Sequence, residues 1–129
     1  MQILIPVSPG ELIDKITILE IKLSEITDAV KLQNVQDELH LLNEVLEVKI
    51  VASETLQALH DEVRAINKKI WDTENDVREF WNDDVKFLEA ARGSHYQNDE
   101  RARVKRAINT LLGSTIIEEK SHPKYEHKT

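Results

Sequence analysis

The chain is predicted to be mainly α, an antiparallel helical bundle with a long helical hairpin and short strands at both ends able to pair. Three observations predict it. No glycine or proline occurs between Gly10 and Gly93, so nothing in that stretch breaks a helix. Leu32, Val35, Leu39, Leu42 and Leu46 step by 3 and 4, as do Leu56, Leu59, Val63, Ile66, Ile70, Thr73 and Val77, and such steps are heptad seams. The stretches 2–7 and 114–120, near the two ends, are rich in β-branched and apolar residues and read as short strands.

The first helix carries the clearest start signal. Ser8 and Glu11 have the spacing of a capping box, and Pro9 takes the first helical position, where its missing N–H costs nothing. Leu12, Ile13, Ile16, Leu19, Leu23 and Ile26 make one broad apolar stripe, while Ile18 and Ile21 fall well off it. A helix apolar on two sides needs partners on two sides, so it is placed at the centre, ending near Ile26.

Thr27 or Asp28 caps a second helix. Lys49 and Ser53 interrupt the heptad seam, so this helix is broken around Ile50–Ser53 with Ser53 capping the third; one very long helix is the alternative. The third helix, about Ser53 to Asn82, spans roughly 45 Å. Asp83 or Asp84 caps a fourth through Val85, Phe87, Leu88 and Ala91, stopped by Gly93. Asn98 caps a fifth, with Val104, Ile108, Leu111 and Leu112 as its stripe and Gly113 as its stop. The 129 residues form a single helical domain, with a loose polar tail at 121–129.

The formal charge is −7 and is unevenly spread. Residues 1–97 hold 10 Lys/Arg against 19 Asp/Glu, and residues 98–129 hold 7 against 5. An acidic body argues against general nucleic-acid binding, although the basic end suits one small anion or an acidic partner. There is no cysteine, so thiolate metal sites and disulfides are excluded. No signal peptide or membrane span is recognisable, which makes the cytoplasm the expected location and membrane association unexpected.

Chemistry is confined to polar columns beside the seams. Asn67, Trp71, Glu74 and Arg78 follow one another by 4, 3 and 4 on the third helix, with His60 one heptad earlier. Arg101, Lys105 and Asn109 make a matching column on the fifth. If the columns face each other, Glu74 meets Arg101 or Lys105 in a partly buried network. Such flanking pairs commonly serve register alone; a ligand or partner site is the other reading. On the first helix, Glu20 at the edge of the apolar stripe and Lys15 with Lys22 along its other flank are charges that folding does not obviously require.

Sharper motifs fail. Asp37-x-x-His40 lacks the second pair that a di-metal bundle site needs, since Glu119-x-x-His122 falls outside the helices. Glu44-x-x-Glu47 with Asp76-x-x-Glu79 loosely resembles the magnesium-binding helices of all-α nucleotide pyrophosphohydrolases, yet any charged helix surface yields such pairs. There is no P-loop, nucleophile elbow or dinucleotide fingerprint. Neither metal nor cofactor is expected.

The opening Pro6-Val-Ser-Pro-Gly-Glu-Leu-Ile-Asp-Lys-Ile-Thr-Ile-Leu-Glu-Ile-Lys22 resembles the signature of an uncharacterised family of short bacterial and phage helical proteins, a domain of unknown function. Asn67-x-x-x-Trp71-Asp-x-Glu74-x-x-x-Arg78, Asn98-Asp99-x-Arg101-x-x-x-Lys105-Arg106 and Glu118-Glu119-Lys120-Ser121 fit the same pattern, although His122 stands where an aromatic is expected. The resemblance adds Asn98 to the candidate residues and implies a setting in glycan or sugar-nucleotide metabolism, with no catalytic residue. Two functions stay open. One is an accessory or interaction protein, homo-oligomeric or bound to a protein partner. The other is an enzyme or binder acting with magnesium on a phosphorylated small molecule, Arg101 and Lys105 holding the anion and Glu74 serving as acid, base or metal ligand.

Overall fold

A computed structural model describes residues 1–125. Four helices follow one another: α1 (Pro9–Glu25), α2 (Ala29–Lys49), α3 (Glu54–Glu79) and α4 (Asp84–Leu111). Each begins where a polar side chain satisfies a first-turn N–H. Ser8 accepts from Glu11 N–H, Asp28 from Lys31 N–H, Ser53 from Leu56 N–H and Asp83 from Lys86 N–H. The break between α2 and α3 is therefore a cap change at Ile50 and Ser53.

α3 and α4 form the long hairpin. Glu62 meets Arg103 and Asn67 meets Arg101, so one number rises as the other falls and the helices are antiparallel. α1 touches all three other helices. Its Ile13 is fully buried with Val63 of α3 and Val104 and Ile108 of α4, while Leu12, Ile16 and Leu19 pack on Val35 and Leu39 of α2. Burying each large aliphatic side chain contributes about 1.5–3 kcal/mol, which explains why a helix apolar on two sides takes the centre. α2 lies on α1 and reaches the other core only near its end, where Leu46 and Ile50 touch the cluster containing Leu56.

Two expectations are corrected. Among the described residues there are no strands: 2–7 and 114–120 run without regular structure, and Ile3, Leu4 and Ile5 stay exposed. β-branched composition favours a strand only when an edge offers ladder partners, and a helical bundle has none. The expected fourth and fifth helices are one helix, because α4 continues through Gly93 and Asn98. A helix-interior glycine costs only about 1 kcal/mol, which packing along α3 outweighs. Gly113 does stop α4: its φ is +64°, its N–H reaches Thr110 O, and Ser114 N–H reaches Asn109 O at 2.9 Å. That pair of bonds is a Schellman motif. Of the tail expected to be loose, Tyr125 sets its ring 4.8 Å from that of Tyr96, and residues 126–129 lie outside the described residues.

Candidate functional site

The start of α1 is bonded completely. Pro9 has no N–H, Gly10 N–H donates to Asn109 Oδ1 at 2.7 Å, Glu11 N–H to Ser8 Oγ at 3.2 Å and Leu12 N–H to Ser8 O at 3.1 Å. All four first-turn positions are accounted for, so this helix end offers no free donors to a ligand. Only half of the expected capping box forms, because the Glu11 carboxylate accepts from Lys105 Nζ at 2.7 Å. A charge-assisted bond to a buried ammonium is the stronger of the two options.

Three columns converge beneath this end. Asp14 and Thr17 of α1, Asn67 of α3 and Lys105 and Asn109 of α4 are all buried. Asn67 Nδ2 donates to Asp14 Oδ1 at 2.8 Å and to Thr17 Oγ1 at 2.9 Å, while Thr17 Oγ1 donates to Asp14 O. Lys105 Nζ sits 3.7 Å from Asp14 Oδ2 and 3.1 Å from Glu118 Oε2. Burial alone lowers the Lys105 pKa. Bonds to Glu11 and Glu118 and the Asp14 charge outweigh that effect, and the net shift is upward. The Lys105 bond holds the Glu11 pKa below its ordinary value despite partial burial. Lys105 is therefore a neutralised structural cation.

Arg101 differs. Its Nη1 donates to Asn67 Oδ1 at 3.1 Å and its Nη2 to Asn98 Oδ1 at 2.6 Å, both neutral amides. Asn98 is itself held by donation to Ser94 O. Among the described residues no carboxylate pairs with Arg101, and only two of its five N–H groups are used. A half-buried guanidinium is thus oriented from two sides and left with its charge.

That charge faces a cavity of about 340 Å³ lined by Ile18, Ile21, Asn67, Ile70, Trp71, Glu74, Asn75, Arg78 and Arg101. Isoleucines of α1 and α3 supply an apolar lining and Trp71 a half-buried aromatic wall. Glu74 lines the cavity but spends its carboxylate on Arg78, at 2.7 Å. Asn67, Trp71, Glu74, Arg78 and Arg101 are therefore brought together here, with Asn98 just behind. The other candidates lie elsewhere. Lys15 is exposed and Lys22 half-buried. Glu20 pairs with Arg64 and stands 3.4 Å from His60, which lines a separate small cavity with Ile13 and Leu56. Among the described residues no group of three acidic or histidine side chains is arranged to hold a metal ion.

Sequence reasoning missed Asp14 and Thr17 as members of the network. The signal was there in the spacing: Gly10, Asp14, Thr17 and Ile21 repeat the 4, 3, 4 pattern of the α3 column. Small and polar residues at core spacing mark a close, hydrogen-bonded contact.

Stability should fall with acidification in two stages. Burial depresses the His60 pKa below its ordinary 6.5, against a smaller opposing pull from Asp61. The unfolded chain then binds the proton first, so stability is lost as pH falls from 6.5 through the folded value. Glu11, lowered by Lys105, contributes above 4.5 and loses its contribution as pH falls below that. Urea unfolding from pH 8 down to about pH 3 should show both declines, and His60→Gln should remove only the first.

The fold and site define a four-helix protein whose first helix is clamped between the arms of a helical hairpin by a buried polar network, with an arginine-bearing cavity alongside. The chain belongs to the family of unknown function DUF6165, whose profile matches residues 3–125. No curated protein and no solved structure matches it. Among the described residues no helix is long and apolar enough to cross a membrane.

Proposed function

We propose that this chain is an accessory binding protein of the cytoplasm that holds a small anionic molecule between Trp71 and Arg101 and self-associates through its helices. The observation that carries the reading is Arg101, a half-buried cation positioned by two amides and paired with no described carboxylate. Orienting a guanidinium while leaving it un-neutralised costs stability unless an anion completes it, and its planar fork suits phosphate or carboxylate. The apolar lining and Trp71 suit a flat or apolar moiety attached to that anion. A sugar phosphate or sugar nucleotide has both parts, in keeping with the glycan setting that the family resemblance implies. The exposed Leu41, Val45 and Val48 on the outer side of α2 favour a protein partner or a second copy.

A thermal-shift screen with inorganic phosphate, nucleotides and sugar nucleotides, with and without magnesium, tests the site. At least one phosphorylated compound should raise Tm, and the rise should grow with the logarithm of its excess over Kd. Arg101→Gln should weaken it by at least about tenfold, the loss expected for a charged hydrogen bond. Equal binding by Arg101→Gln would overturn the reading. A second reading, catalysis on the same compound, is favoured only by Glu74 lining the cavity, and turnover abolished by Glu74→Gln with binding intact would establish it.

A further inference from the structure

The segment that follows α4 turns back along the helix as a strap. Glu118 pairs with Lys105 at 3.1 Å and Glu119 with Arg106 at 3.7 Å. Further on, the Tyr125 hydroxyl donates to Asp99 and its ring packs on that of Tyr96. The strap therefore runs back toward the middle of α4. The stretches 98–106 and 118–121, far apart in sequence, face each other across this contact.

Strap and helix do not close on one another. Two cavities lie between them, of about 270 Å³ and about 690 Å³, and Asp99 and Lys120 line both. They are adjoining halves of one trough, and the larger half has the volume of a small-molecule site.

The charge along the trough opposes that of the chain. Its lining holds five Lys/Arg and two carboxylates, although the whole chain carries −7. Three of the five cations are spent: Lys105 on Glu11 and Glu118, Arg106 on Glu119, and Arg103 on Glu62 and Glu100. Lys120 and Lys124 remain. Neither makes an ion pair with a described residue, and both line the larger cavity together with His95 and His122. Asp99 is the one carboxylate there, and it already accepts from Tyr125. A cleft lined by one sign of charge draws in the opposite sign.

We propose that this trough is a second anion site, which takes a phosphate or diphosphate group between Lys120 and Lys124, with His95 and His122 as further donors. Phosphate oxygens accept from several donors at once, and lysine serves them as a point charge. Two ammonium groups match a dianion, whereas a single carboxylate would leave one of them unmatched. The strap supplies Lys120, His122 and Lys124 and α4 supplies His95, so neither element makes the site alone.

The site shares no charged residue with the Arg101 cavity, so the two are tested apart. Pyrophosphate is titrated at constant ionic strength into isotope-labelled full-length protein and followed by NMR. The amides of His95, Lys120, His122 and Lys124 should shift saturably. Lys120→Gln combined with Lys124→Gln should weaken that binding by at least about tenfold, as expected for the loss of charged hydrogen bonds. Circular dichroism confirms that the double variant is folded. Arg101→Gln should retain the shifts. Shifts that never saturate, or that survive the loss of both lysines, would overturn the proposal. Saturable shifts confined to Asn67, Trp71 and Arg101 would overturn it too, while leaving the Arg101 reading in place.

Discussion

Lys105→Met should destabilise the fold by about 3–5 kcal/mol, the cost of removing one partner from a buried ion pair. Methionine keeps most of the volume and the unbranched stem, so little of the loss is packing. What is lost is the cation facing Glu11, Asp14 and Glu118 at 2.7, 3.7 and 3.1 Å. Asp14 is the sensitive member, because it is buried and has Asn67 as its other side-chain partner. Adding Asp14→Asn and Glu11→Gln to Lys105→Met should recover part of the loss, since neutral amides need no counter-charge. Urea denaturation of the three proteins checks this. A single variant within about 1 kcal/mol of wild type would mean that the network sets geometry without supporting stability.

Gly10→Ala should also destabilise, although alanine is the better helix former by about 1 kcal/mol. A Cβ at position 10 would lie 2.6 Å from Lys105 O and 2.9 Å from Asn109 Oδ1. The first of these is backbone and cannot rotate away. α1 must therefore lift from α4, breaking the 2.7 Å bond from Gly10 N–H to Asn109. Overpacking of this kind costs about 1–3 kcal/mol, so the sign of the usual glycine-to-alanine change reverses. Thermal unfolding reads the loss, and faster exchange of the backbone amide at position 10 locates it. A stabilised Gly10→Ala protein would show that α1 and α4 are not in close contact here.

Features encoded within a few residues were legible in the sequence. Ser8 with Pro9, Asp28, Ser53, Asp83 and Gly113 all mark helix ends by local hydrogen bonding or backbone conformation, and each does so in the structure. Where a local signal was weak it misled. Gly93 suggested a stop, but a penalty near 1 kcal/mol yields to packing over a 28-residue helix. The end segments suggested strands, but a strand depends on an edge that other residues must supply. The destination of the Glu11 carboxylate was likewise invisible, because Lys105 lies 94 positions away.

The site was half legible for the same reason. Spacing placed Asn67, Trp71, Glu74 and Arg78 on one face of α3, and Arg101 with Lys105 on one face of α4. Which cation would be neutralised depended on where α1 brought Glu11 and Asp14. That tertiary fact divides the pair: Lys105 becomes part of the framework and Arg101 remains available.

The availability of Arg101 beside Trp71 is the central claim, and tryptophan fluorescence tests it directly. Only Trp71 and Trp81 occur in the chain, and Trp81 lies in the α3–α4 turn, outside the cavity and edge-on to Phe87. In Trp81→Phe protein, titration with a sugar nucleotide or another phosphorylated compound that raises Tm should change Trp71 emission saturably, and adding Arg101→Gln should abolish the change. Saturable binding that leaves Trp71 emission unaltered, or that survives Arg101→Gln, would place the ligand elsewhere and contradict the account.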